Sequence, residues 1–247
     1  MSALSRMTGS EARLFLREPV GAFFALAFPA ILILVLGNAI PAFSEPSADL
    51  DGELPINLYL PVVLALAIGT VTMTSLLGVL ATYRERGVLR RLATTPVKPS
   101  ALITAQLGVN VAALLIGSAL MMLTAVLAFG SRGPENWPAL LVAYLLGAAA
   151  MTGVALLIAA LAPNSRASAG IGTLVYFPML FFAGVWTPGP MMPEGARQVA
   201  DFTPLGAASQ AMQAAWSGDW PQPLHLAVTA AYAAVTCALA VRLFRWQ

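Results

Sequence analysis

The densest charge in the sequence is the run Arg84-Glu85-Arg86-Gly87-Val88-Leu89-Arg90-Arg91-Leu92-Ala93-Thr94-Thr95-Pro96-Val97-Lys98, which holds five of the thirteen Lys and Arg residues. On a helix, at about 100° per residue, Val88, Leu89 and Leu92 share one arc, while Arg86 and Arg90 stack one turn apart on another. Thr82 followed three residues on by Glu85 has the capping-box pattern. Pro96 cannot continue a helix and pushes Thr95 out of helical geometry. Residues 84–95 therefore read as a short amphipathic helix. Its chemistry is recognition: an apolar arc that can seat in a groove, with arginines for acidic groups at the rim. A plain basic loop that only sets membrane orientation is the alternative, and the capping pattern with the apolar arc favours docking. Catalytic chemistry has no comparable signal. There is no Gly-x-x-x-x-Gly-Lys-Ser/Thr phosphate loop, no His/Cys/Asp/Glu cluster with metal-ligand spacing and no nucleophile–base pair. The lone histidine, His225, reads as a packing residue, the lone cysteine, Cys237, in an apolar run, gives no disulfide framework, and the basic residues lie along a membrane face without the interleaved aromatics of a nucleic-acid surface.

The elements around this stretch are apolar. Of 247 residues, 59% are hydrophobic and 10% charged, where soluble domains carry about 25% charge. Mean hydropathy is +0.80. Six uncharged segments are long enough to span a bilayer as helices, at about 21–43, 56–82, 101–129, 137–161, 167–187 and 222–242. Their residues do not alternate in polarity as barrel strands do. The expected fold is thus an all-α integral membrane protein, a single domain over 1–247. With the N-terminus inside, the cytoplasmic side collects eleven of the thirteen basic residues, and Arg132 and Arg197 lie outside. Both termini are expected in the cytoplasm. Arg6, Arg13 and Arg17 share a helical face opposite Leu4, Met7, Leu14 and Phe15, the pattern of a helix on the membrane surface; a frayed tail is the alternative. Pro29 predicts a kink in the first span, and Thr70, Thr72, Thr74 and Ser75 are expected to bond across helices in the second. No charge lies inside any span, which argues against an ion-coupled secondary transporter.

Residues 188–219 are apolar and broken by prolines. Pro193 and Pro204 suit the first position of a helix, and Thr203 can cap the helix that Pro204 opens. Two short helices are predicted, forming an outer re-entrant hairpin or an external cap.

Two stretches resemble the ABC type 2 exporter permeases. Residues 84–97 are similar to that family's segment after its second span. Phe182-Ala183-Gly184-Val185-Trp186-Thr187-Pro188, with Met192-Pro193 and Phe202-Thr203-Pro204-Leu205, is similar to the stretch leaving its fifth. The bacterial daunorubicin-resistance permeases look most alike. The chain departs where relatives commonly carry Gly-Thr-Leu-Glu and it has Gly87-Val88-Leu89-Arg90. The resemblance implies a half-transporter, one of two copies, each engaging a separate P-loop ATPase subunit that binds ATP and Mg; the chain itself needs no cofactor or metal. Arg84, Glu85, Arg86, Gly87, Val88, Leu89, Arg90, Arg91, Leu92, Thr95 and Pro96 would form the coupling helix. Gly184, Pro188, Pro193, Thr203 and Pro204 would shape the outer hairpin. Thr70, Met73, Thr74, Tyr176, Phe177 and Phe181 would line a substrate path between the second and fifth spans. Implied with these are a multi-pass place in the bacterial inner membrane, lipid contact and export of a hydrophobic or amphipathic compound, or of a lipid-linked glycan.

Overall fold

A computed structural model describes residues 3–45, 47, 52, 54–88, 91, 99–187 and 191–243. The chain runs α1 (Ala3–Arg17), α2 (Pro19–Ala39), α3 (Ile56–Glu85), α4 (Pro99–Phe129), α5 (Trp137–Leu161), α6 (Ser165–Phe182), α7 (Glu194–Ala200), α8 (Pro204–Trp216) and α9 (Pro223–Leu243). There is no strand among the described residues. Five helices, α2, α3, α4, α5 and α9, are long and apolar enough to cross a membrane. The expected fifth span, 167–187, is represented by α6, which is not among those five. Its 18 residues open on Ser165-Arg166, and Gly184, at φ 91°, ends it early in a Schellman turn in which Val185 N–H donates to Leu180 O at 3.2 Å.

The bundle is organised around α3. Of its most apolar stretch 83% is buried, against 22% for α9, and Ile56, Leu60, Leu64, Ile68, Leu76 and Leu80 are fully enclosed. On one side α4 carries both α1 and α2; on the other, α5 pairs with α9, and α8 wedges among α3, α5 and α9. Small residues allow these approaches, as packing without a hydrophobic driving force requires. A Cβ at Gly147 would press on Ala208 of α8, and one at Gly153 would strike Thr236 of α9.

The expected kink at Pro29 is a π-turn, Phe23–Ala27, closed by Phe28 N–H on Phe23 O. Pro29 has no N–H for the Ala25 carbonyl, and that carbonyl meets Gly117 of α4 so closely that any Cβ there would collide with its oxygen. A second π-turn, Val71–Leu76, interrupts α3. Here the hydroxyls act only in part as the expected cross-helix glue. Thr70, Thr72 and Thr74 donate to their own helix, to Leu66, Ile68 and Thr70 carbonyls at 2.8, 2.7 and 2.6 Å, the bond to the preceding turn that Thr229 and Thr236 also make in α9. Thr70 alone among them also crosses to another helix, at 2.6 Å from the Tyr176 hydroxyl.

At the far end, Thr203 Oγ1 accepts from Gly206 N–H at 3.2 Å and Pro204 takes the first position of α8. Pro193 sits one place earlier than expected, at the N-cap of α7 rather than inside it. Leu205, Ala208, Met212 and Ala215 are buried at the three- and four-residue spacing their sequence shows, so α8 is a core helix of the bundle.

Candidate functional site

The charged run does not begin a new helix at Arg84. Arg84 and Glu85 are the last turn of α3, and Thr82 lies inside it, so Thr82 caps nothing. The break comes at Gly87, whose φ of 66° an L-residue rarely adopts. A new helical turn then starts, with Arg91 N–H donating to Gly87 O at 3.0 Å. Leu89, Arg90, Leu92, Thr95 and Pro96, like Pro188 at the other end, lie outside the described residues.

Arg84 and Glu85 grip the turn between α5 and α6. Arg84 Nη1 donates to the Ala159 and Ala162 carbonyls at 2.8 and 2.7 Å. Glu85 Oε2 accepts from Ser165 N–H at 2.8 Å. The chemistry follows from helix termini: α5 ends in unpaired carbonyls with a partial negative charge, and α6 begins with unpaired N–H groups and a partial positive one. The cation takes the first and the anion the second. Asn164 completes the junction by capping α6 through Ala167 N–H at 2.8 Å. Sequence reasoning assigned both charges to an outside partner; the signal for the clamp was Ala162-Pro163-Asn164, a helix stop followed at once by a cap.

Val88 also turns inward. It packs with Met7, Tyr83 and Ile103 on a small apolar cluster of Leu102 and Ala160, so this residue of the expected docking arc rests on its own bundle. Arg86 and Arg91 are exposed.

Of the residues expected on a substrate path, Thr70, Met73 and Tyr176 are buried, whereas Thr74, Phe177 and Phe181 are exposed. Helices α3 and α6 meet closely: a Cβ at Gly69 would enter the Tyr176 ring, and one at Gly172 would press on Leu77. Gly184 is buried at the end of α6. Beside it, Ser209 donates to Ala183 O at 2.7 Å. Asp201 Oδ1 accepts from Gln210 at 2.7 Å and lies 3.0 Å from His225 Nε2. That network ties α7, α8 and α9 together, which the sequence reading of His225 as packing alone had missed. Among the described residues no group of three or more His, Cys, Asp or Glu could hold a metal ion.

A helical bundle with five membrane-length apolar helices has the build of a multi-pass membrane protein. A family model described as ABC-2 type transporter matches residues 3–216. The chain belongs to that family: it is an ABC permease subunit, of the kind that works with a partner ATPase subunit and has no ATPase site of its own. No curated protein of known function matches it.

Proposed function

We propose that the chain is the membrane subunit of an ATP-driven exporter that moves a hydrophobic or amphipathic compound out across the bacterial cytoplasmic membrane, as its likeness to the daunorubicin-resistance permeases implies. Two copies work with two copies of a P-loop ATPase subunit, which holds the ATP and Mg. The chain crosses the membrane six times, counting α6, with both termini inside, and α7 with α8 forms the outer hairpin.

The observation that carries this reading is the joint at Gly87. Residues from Leu89 onward dock on the ATPase; residues before the joint hold the α5–α6 turn through Arg84 and Glu85. A displacement of the docking segment then reaches α6 without passing through the buried middle of α3, as motion between two discrete packings. Thr74, Phe177 and Phe181 face the seam between the two copies, backed by the Thr70–Tyr176 bond.

The test is Leu89→Asp. Burial of an aliphatic side chain contributes about 1.5–3 kcal/mol and a rim ion pair under about 1 kcal/mol, so packing dominates the docking. Leu89→Asp is expected to abolish co-purification with the ATPase and transport-coupled ATP hydrolysis, while Arg90→Ala weakens both less. Full coupling in Leu89→Asp would leave residues 84–95 as an orientation signal.

A further inference from the structure

A cavity of about 300 Å³ lies between α1, the last turns of α3 and the start of α4, lined by Glu11, Leu14, Phe15, Glu18, Gly78, Val79, Thr82, Tyr83 and Gln106. It lies at the small end of the range for small-molecule sites. Among the described residues no Lys or Arg lines it. Glu11 is 6% exposed. The Tyr83 hydroxyl donates to its Oε2 at 2.9 Å, and among the described residues no basic side chain forms a salt bridge with it. Burial pushes the Glu11 carboxyl above its usual range, and the Tyr83 bond only partly offsets this. Glu18 stands at the exposed rim two helical turns on, within electrostatic reach of the same hydroxyl. Gln106 in the wall is 2% exposed. A buried carboxylate is costly without a counter-charge.

We infer that this cavity is a binding site for an ammonium group carried on a short apolar body. An ammonium supplies what the walls lack: a positive charge, with its N–H donors, for the Glu11 and Glu18 carboxylates. Leu14, Phe15 and Val79 give the apolar body a surface to lie on. Among the described residues no third His, Cys, Asp or Glu joins the two carboxylates to make a metal-ligand group, and the space exceeds what a bare ion needs. The open space over Gly78, where a Cβ would meet nothing within 4 Å, is part of the room available. The ammonium has two sources, an aminophospholipid headgroup from the adjoining leaflet or a free cationic amphiphile. The inference stands apart from the export reading, since its test reads neither ATP hydrolysis nor transport.

The full chain in phosphatidylcholine nanodiscs is titrated with octylammonium, and binding above that of empty nanodiscs is followed by calorimetry. Saturable binding is expected for octylammonium and none for octanol. Glu11→Gln, which keeps an acceptor for Tyr83, is expected to weaken binding at least tenfold, Glu18→Gln several-fold, and Gly78→Leu to abolish it by filling the space with a helix-favouring side chain. Replacing phosphatidylcholine with phosphatidylethanolamine lowers the apparent affinity several-fold if the lipid headgroup is the occupant and leaves it unchanged if a free amphiphile is. Equal binding of octanol, or unchanged octylammonium binding in Glu18→Gln and Gly78→Leu, overturns the assignment; both variants lie outside close packing, so the test holds even where Glu11→Gln fails to fold.

Discussion

Replacing Arg84 with alanine deletes both bonds from its Nη1 to the Ala159 and Ala162 carbonyls and leaves the end of α5 to whatever water can reach it. Hydrogen bonds from a charged donor contribute about 1.5–3 kcal/mol, and a cation at a helix C-terminus about 0.3–1 kcal/mol. The side chain is half-buried and both bonds leave one nitrogen, so a loss of about 2 kcal/mol is expected. At about 1.4 kcal/mol per factor of ten, the α5–α6 turn should open roughly 30-fold more often. Hydrogen exchange at Ser165, Ala167 and Ser168, whose amides bond to Glu85 and Asn164, should quicken by that factor. Arg84→Lys, a point charge without the planar fork, should fall between. Co-purification with the ATPase should survive, because the proposed docking segment begins at Leu89, while ATP hydrolysis responding to substrate should fall. Unchanged exchange together with unchanged substrate response would show that the clamp neither holds the turn nor transmits movement.

Gly117→Ala drives a Cβ into the Ala25 backbone oxygen, which cannot rotate away; a cost of about 1–3 kcal/mol should appear as a drop in thermal midpoint in detergent, and Gly108→Ala, with open space around it, should show none. Thr203→Ala removes the cap on Gly206 N–H and should cost about 1 kcal/mol in the same measurement, with Thr203→Ser retaining stability. In a cysteine-free background, a cysteine at Ser47 should react with an impermeant thiol reagent from outside whole cells and one at Arg86 only after lysis; the reverse pattern refutes the inward N-terminus.

What was legible in the sequence was whatever depends on a residue and its near neighbours. Uncharged runs placed α2, α3, α4, α5 and α9, since each buries or bathes its whole circumference in apolar surroundings. Thr203-Pro204 marked the start of α8 because cap and first turn are contiguous. The charged run misled for a physical reason: an arginine's periodicity says which face of a helix it occupies, not whether that face meets solvent, a partner or the end of another helix. Arg84 and Glu85 find their bonds about 75 to 80 residues on. The threonines of α3 read as glue between helices, but a hydroxyl on a helix has a nearer acceptor in the carbonyl one turn back, and only Thr70 also reaches another helix. The His225–Asp201 contact joins the first turn of α9 to the connection before α8, and nothing in the spacing of those residues announces it.

The clamp on the α5–α6 turn has a consequence for comparing relatives. Arg84 reaches main-chain atoms of Ala159 and Ala162, and a main-chain carbonyl is the same whatever side chain its residue carries; Glu85, which meets the Ser165 side chain as well as its amide, is the exception. Position 84 therefore answers for its contact alone, while 159 and 162 vary within the limits of their own packing. Paired substitution, the usual trace that touching residues leave across a family, would not link the two sides of the Arg84 contact, which would be invisible to covariation although the ends of α3 and α5 depend on it.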